Sequence, residues 1–249
     1  VYARLLGELA AAGAPWVQLE EPALVADQDV PAARLAAAVQ EAYPALTAAP
    51  ERPRLFVTTS YGSPGPLLHP LACSGVEALH LDLVKGAAPS PEELELFRGE
   101  DSAVLVAGAV DGHNVWRADL AGRLDQLGEL ARGGAQVSVA SSTSLFHVPH
   151  DVTEETRLDP QLRSWLAFAD QKVGEIVTLA RGLAAGTEAV APELAEAAEA
   201  RRTRQDAAGV RDAAVRERAG SLTAADIGRS AAEVRRIAQE GRSFSASGP

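Results

Sequence analysis

The stretch VLVAGAVDGHNVWR, residues 104–117, decides the fold prediction. It begins with a short apolar run, Val104–Ala107, that is too brief for a helix and is typical of a buried strand. A polar turn follows, in which Asp111-Gly112 is a turn signal. A strand that ends in a polar turn is typical of a βα unit in a parallel sheet, whose ligand-binding groups collect at the carboxyl ends of the strands.

Four similar runs predict the rest of the sheet. Each is short, apolar and followed by a turn and a helical pattern, and neighbouring runs lie about 25–40 residues apart, the spacing of a parallel α/β fold. The runs are Trp16–Leu19, Leu55–Thr59, Ala78–Leu83 and Gln136–Ala140. Five units are too few for an eight-stranded barrel, so the pattern predicts either an open sheet or a barrel whose first three units are missing.

Two helices carry clear start signals. Ser90-Pro91-Glu92-Glu93 is a capping box, and Asp159-Pro160 opens a second helix in the same manner. Steps of three and four predict that this second helix continues as one apolar face. The residues of that face are Leu162, Trp165, Leu166, Ala169, Val173, Ile176, Val177 and Ala180.

The composition changes near residue 186, where Ala, Glu and Arg become dominant. We predict two further helices, 192–219 and 223–240, separated by Gly220 and Ser221 and with Thr223 as an N-cap. The chain is therefore divided into a strand-bearing part, 1–186, a helical extension, 187–241, and a flexible tail, 242–249.

Charge and composition exclude several classes of function. Lys and Arg number 23 and Asp and Glu 34, which gives a formal charge of −11 and argues against nucleic acid or membrane partners. The single cysteine, Cys73, allows no internal disulfide, which suits the cytoplasm, and it is expected to be a buried small residue. The chain begins with Val and has no methionine, so we expect a fragment.

The candidate site residues follow the strands, and each has a plain structural alternative. Glu20 and Glu21 end the first strand and are suited to proton transfer or to binding an amine or a metal, although Pro22 could simply end an exposed strand. Asn114 either caps a following helix or contacts a ligand. His147 and His150 straddle Pro149 with no third ligand at a suitable spacing, which favours a hydrogen-bonded loop histidine over a metal site.

Four segments, in this order, carry a resemblance to the N-terminal half of cobalamin-independent methionine synthase. They are WVQLEEP at 16–22, VDGHNVWR at 110–117, STSLFHVP at 142–149 and WLAFADQK at 165–172. The resemblance runs from about residue 2 to about residue 182. It implies a (βα)₈ barrel of the TIM type, of which this chain would hold the last five units, followed by helices that lead toward a second barrel.

The resemblance also implies a function. The whole enzyme of this family moves a methyl group from 5-methyltetrahydrofolate polyglutamate to homocysteine, and zinc in the C-terminal barrel activates the homocysteine thiol. The folate lies between the two barrels. This piece would then be inactive alone, would scaffold the C-terminal barrel of the same enzyme and would form a wall of the folate site.

The resemblance also implies two barrels that look like an ancient duplication, so the zinc ligands of the catalytic half can be compared with the matching positions of this half. The matching positions are Thr58, Ser60, Asp82 and Thr143, of which only the carboxylate is a good zinc ligand, so we expect no metal and no catalytic residue in this piece. The chain departs from the family pattern in three places: Glu20 stands where Asp is usual, His113 where Arg is usual, and the hydroxyl-rich stretch 141–144 where Pro and Cys are common.

These considerations give a set of residues that we expect to face the folate and the interdomain cleft. They are Glu20, Glu21, Asp82, Asp111, His113, Asn114 and His147. Two rival functions stay open: a self-sufficient metal-dependent barrel hydrolase or lyase that uses Asp82, His113 and His147, and a binding scaffold without chemistry.

Overall fold

A five-stranded parallel sheet forms the centre of the chain. The computed structural model describes residues 1–223, Asp226, Gly228 and 231–241. All five predicted strands are present, with ends that differ from the prediction by at most three residues. The strands are β1 (Trp16–Glu20), β2 (Arg54–Thr59), β3 (Ala78–Asp82), β4 (Val104–Val110) and β5 (Val137–Ser141).

The strands lie in sequence order, β1-β2-β3-β4-β5, and every neighbouring pair is parallel. A register shift between Gly108 and Val110 interrupts the pairing of β4 with β5. Helices separate the strands and follow the last one. They are α1 (Tyr2–Ala11), α2 (Ala32–Thr47), α3 (Leu68–Ala72), α4 (Pro91–Leu94), α5 (Leu120–Arg132), α6 (Pro160–Ser164), α7 (Ala169–Ala185), α8 (Ala191–Gln205), α9 (Ala213–Gly220) and α10 (Ala232–Gly241).

The two faces of the sheet have different surroundings. One face packs against helices through alternate strand residues such as Leu55, Val57, Leu79 and Leu105, all fully buried in the main core. The opposite face holds an open pocket of about 360 Å³, lined by Trp16, Phe56, Ala78, Val104, Val106, Ser138, Val139 and Ala140. Strands in sequence order with their apolar core on one face are what a segment of a barrel requires, whereas a doubly wound sheet is covered on both faces.

The predicted capping box is confirmed at α4. The Ser90 hydroxyl accepts a hydrogen bond from Glu93 N at 3.2 Å, and the Glu93 carboxylate accepts one from Ser90 N at 2.8 Å. This reciprocal pair satisfies two backbone donors that the first turn of a helix leaves open.

The long helix predicted after Asp159-Pro160 is wrong in two respects. It is interrupted between α6 and α7, because Leu166 leaves the helix to form an antiparallel bridge with Trp116. The buried face of α7 is also a different one: Val173 and Val177 are each 51% exposed, while α7 buries Lys172, Glu175, Thr178, Leu179 and Gly182. Polar contacts with the loop after β4 decide which face is buried.

The helices after residue 186 also differ from the prediction. The helix expected over 192–219 is two helices, α8 and α9, because Gly209 adopts a φ of 86° and Asp212 caps a new start by accepting from Val215 N. The expected break at Gly220 and Ser221 is confirmed. The helix expected over 223–240 is described only at its start, where Thr223 donates to Asp226, and as α10; the expected tail, 242–249, lies outside the described residues.

The described part of the chain divides into two compact units, which meet between Arg204 and Gln205 in the sequence. Most of α8 therefore belongs with the sheet, and its Ala197 and Ala200 are buried. Our boundary at residue 186 stays a prediction. Among the described residues, no helix has the length and apolar character needed to cross a membrane.

Candidate functional site

The polar candidates lie at the edge of the sheet where the strands end, because all five strands are parallel. Glu20 is exposed, and its carboxylate accepts from Gln18 at 3.3 Å. Glu21 is half-buried and accepts a 2.6 Å hydrogen bond from the Tyr43 hydroxyl. Burial and this bond to Glu21 raise the pKa of Tyr43 far above its ordinary value, so the hydroxyl stays a donor.

Asp82 is a structural carboxylate that ties two loops together. It is 1% exposed and accepts three backbone hydrogen bonds. Its Oδ1 accepts from Val84 N and Lys85 N, both at 2.8 Å, and its Oδ2 accepts from Tyr61 N at 2.9 Å. These bonds occupy the carboxylate with backbone donors from the loops after β2 and β3, so Asp82 positions those loops.

Tyr61 is a feature of this edge that the sequence analysis missed. Its φ of 76° lies in the left-handed region that residues other than glycine rarely adopt. Its ring is 51% exposed and meets the His113 ring edge to face, with 6.1 Å between the centroids. The signal in the sequence was the dipeptide Tyr61-Gly62, one residue beyond the end of β2, in a stretch that we interpreted only as a turn.

The loop after β4 is held by its own side chains. Asp111 accepts from His113 N at 2.8 Å and from the Asn114 side chain at 2.6 Å, and Asn114 accepts from Trp116 N at 2.9 Å. The expectation that Asn114 could cap the next helix is wrong, because Asp119 caps α5. The geometry brings Asp111, His113 and Asn114 together and places His113 beside Tyr61.

A buried ionic group on α7 anchors the same loop. Lys172 is fully buried, and its Nζ donates to Asn114 Oδ1 and to Trp116 O, both at 3.3 Å. Glu175 accepts from Ala118 N at 2.8 Å through Oε1, while its buried Oε2 has no partner. Burial lowers the pKa of Lys172 and raises that of Glu175, and the attraction between the two charges opposes both shifts only in part.

His147 is separate from these groups. It ends a short turn, Leu145–His147, is exposed, and meets Phe146 edge to face with 5.1 Å between centroids. Phe146 itself is 85% exposed. The described contacts therefore pair His147 with its neighbour in the chain.

Buried polar groups also lie where β3 and β5 end. His80 Nε2 donates to Ser141 O at 2.9 Å, which leaves Nδ1 as a buried acceptor without a partner. Burial lowers the pKa of His80, against the opposing effects of that hydrogen bond and of Asp82. Thr143 Oγ1 is likewise buried without a partner.

Two of the positions that we expected to match zinc ligands carry hydroxyl groups here, and a third carries a carboxylate that is already bonded. Thr58 and Thr143 are buried hydroxyls, and the Asp82 carboxylate is taken up by three backbone donors. Within the described part of the chain, no group of three or more His, Cys, Asp or Glu side chains could hold a metal ion. The metal-dependent alternative through Asp82, His113 and His147 thus finds no support in the geometry. Cys73, expected to be buried, is exposed.

The fold and this edge define a parallel α/β protein whose polar groups gather where the strands end. The model of the family described as "Cobalamin-independent synthase, N-terminal domain" matches residues 1–134. The chain therefore belongs to the cobalamin-independent synthase family and matches its N-terminal domain.

Curated relatives match nearly the whole chain. Proteins named 5-methyltetrahydropteroyltriglutamate–homocysteine methyltransferase are 44% identical over 244 residues in Rhodococcus jostii and 45% identical over 242 residues in Mycolicibacterium paratuberculosis. The one from Streptomyces avermitilis is 47% identical over 230 residues. The matches cover 98%, 97% and 92% of this chain but only 32%, 31% and 29% of the relatives. The chain thus spans about a third of the length of these relatives.

Proposed function

We propose that this chain is part of the N-terminal half of a methyltransferase that moves a methyl group from 5-methyltetrahydropteroyltriglutamate to homocysteine, forming methionine in the cytoplasm. The observation that carries the proposal is the 44% identity over 244 residues to a relative named for this reaction. The chain would supply the last five βα units of an eight-stranded barrel, and strands in sequence order with a one-sided core support that arrangement.

In this proposal the chain itself does no covalent chemistry. Asp82 accepts hydrogen bonds from loop backbone, Asn114 donates to Asp111, and Asn114 accepts from Trp116 N. Side chains bonded in this way are suited to holding the shape of a surface. Zinc would be held by the other half of the enzyme, where it would activate the homocysteine thiol. The residues of this chain would hold the second barrel in place and form one wall of the folate site.

The test is a chimaera in which this chain replaces the matching 244-residue segment of the Rhodococcus jostii relative. We expect the purified chimaera to form methionine from homocysteine and 5-methyltetrahydropteroyltriglutamate, with about one zinc per chain. The isolated 249-residue chain should form none under the same conditions.

Two results would contradict the proposal. A chimaera that folds and binds zinc but makes no methionine would show that the chain cannot serve this enzyme. Turnover of the two substrates by the isolated chain would show a self-sufficient enzyme. The parent relative, purified in parallel, is the control for assay conditions.

A further inference from the structure

Three exposed residues lie in the loops after β2, β3 and β4, and the proposed function does not yet give any of them a specific contact with a ligand. We call Tyr61, Lys85 and His113 the strand-end platform. Tyr61 is a large exposed aromatic residue in a left-handed backbone conformation. Such strained conformations persist only where the surroundings impose them, and they concentrate at ligand sites.

The buried Asp82 carboxylate imposes this conformation. It accepts from Tyr61 N at 2.9 Å and from Lys85 N at 2.8 Å, so one group holds the backbone of both residues. The two loops also touch: a Cβ on Gly86 would lie 2.5 Å from Asp82 O and 2.8 Å from Gly62 O, which leaves room only for glycine. The backbone of Tyr61 and Lys85 is therefore held before any ligand arrives, which lowers the entropic cost of binding.

The platform contains two aromatic rings that come from different loops. Tyr61 and His113 come from the loops after β2 and β4, and their rings meet at 88° with 6.1 Å between centroids. Since Tyr61 remains 51% exposed beside His113, the platform offers aromatic surface for stacking.

The positive charge of Lys85 favours an anionic ligand. The chain carries a net charge of −11 and only two lysines, Lys85 and Lys172. Lys172 is fully buried, whereas Lys85 is exposed, at the edge where Tyr61 and His113 lie. An exposed ammonium and aromatic rings, carried by loops at the same end of the strands, fit a ligand that joins a flat ring to carboxylates.

We infer that the strand-end platform binds the pteroyl-oligoglutamate substrate, with Tyr61 against a planar ring and Lys85 attracting a glutamate carboxylate. This inference rests on the proposed function, which supplies a substrate of that chemistry. It adds the residues that bind it: Tyr61 and Lys85 make contact, and His113 orients the Tyr61 ring.

The test uses the chimaera defined above with four variants. Tyr61→Gly removes the ring and also the strain, since glycine adopts a positive φ freely, so its unfolding midpoint should not fall below that of the parent chimaera. We expect it to raise KM for the folate substrate about tenfold and to leave KM for homocysteine unchanged. Tyr61→Phe, which keeps the ring, should stay within about twofold of the parent in both KM values.

The other two variants test the role of the Lys85 charge and whether the effect is specific to the platform. Lys85→Ala should raise KM more for the triglutamate substrate than for the monoglutamate form, because the triglutamate carries more carboxylates that Lys85 attracts. Tyr2→Ala removes another exposed tyrosine, 64% exposed on α1, and should leave every constant unchanged.

The outcomes separate this inference from the proposed function. An active chimaera in which Tyr61→Gly and Lys85→Ala leave the folate KM unchanged overturns the inference alone. Equal increases in both KM values, or a fall in kcat without a change in the folate KM, would show a merely structural role and also overturn it. An inactive parent chimaera overturns the proposed function and, with it, this inference.

Discussion

Single buried polar residues in this chain are tied to loop backbone. Asp82 accepts three backbone hydrogen bonds, and Glu175 accepts one from Ala118 N. A buried acceptor of this kind fixes geometry because a loop that moves away leaves both the carboxylate and its donors unsatisfied. A residue that the sequence predicts to face a ligand can therefore act indirectly, by holding the backbone of a loop whose other residues are exposed.

The first prediction concerns Asp82→Asn. The amide oxygen can still accept from Val84 N and Lys85 N, but the amide nitrogen would face the Tyr61 N–H, so two donors would meet. We expect a loss of about 1–3 kcal/mol in the free energy of unfolding, measured by urea denaturation. The control Asp125→Asn, on the exposed surface of α5, should change this free energy by less than about 0.5 kcal/mol. Equal effects of the two substitutions would contradict the role given to Asp82.

At the residue level the sequence predicted which positions follow the strands but not what each would do. Asp82 and Asp111 were recognised because parallel strands place polar residues at one edge. Tyr61 was missed because its conformation depends on Asp82, which lies 21 residues away in the chain. Long-range hydrogen bonds of this kind leave no periodic signal.

Among the elements, α7 shows how packing overrides an apolar pattern. The steps of three and four were present, yet Val173 and Val177 are half-exposed, while Lys172 and Glu175 are buried. Lys172 donates to Asn114 Oδ1 and to Trp116 O, and Glu175 accepts from Ala118 N. These bonds give hydrogen-bond partners to polar groups of the loop after β4 that would otherwise be left without them. The strands were predictable because each is a short apolar run, whereas the face of α7 depends on a distant loop.

The second prediction concerns Lys172→Met. Without the ammonium, buried Glu175 keeps only Arg117 as a nearby opposite charge, and we expect a loss of about 3 kcal/mol in the free energy of unfolding at about pH 8. Burial raises the pKa of Glu175 in the folded state, so the variant loses stability as the pH rises from the ordinary carboxyl value through that raised value. The loss should therefore be smaller at about pH 5, where Glu175 can take up a proton.

Urea denaturation at the two pH values measures both effects. The double variant Lys172→Met/Glu175→Gln, which removes both charges, should recover part of the stability at the higher pH and show a weaker dependence on pH. A cost for Lys172→Met that is equal at both pH values would mean that the attraction between Lys172 and Glu175 does not set the stability of α7.

In the whole molecule, the sheet is covered on one face and open on the other. The strands at its two ends, β1 and β5, each pair with one neighbour among the described residues. The open face, which would be the inner face of a closed barrel, carries the pocket, with Trp16 at 41% exposure. Unpaired edges and open apolar faces favour association between copies of a chain. An added segment that closes the barrel would remove both.

The third prediction uses Ser138→Lys, which places a charge on the exposed inner face of β5. In the isolated chain, we expect less self-association than in the parent, measured by sedimentation at several concentrations, because the charge weakens contacts through this face. In the chimaera the upstream strands should cover the same position. The charge would then be buried, and the free energy of unfolding should fall by about 3 kcal/mol.

The matched control is Ala121→Lys, which adds the same charge at an exposed position of α5 and should change neither quantity. Opposite responses of the isolated chain and the chimaera to Ser138→Lys are expected only if the inner face becomes the interior of a closed barrel, since a charge that stays in water costs little in either setting. A chimaera that tolerates Ser138→Lys as well as Ala121→Lys would show that this face remains open and that the five strands form a sheet in their own right.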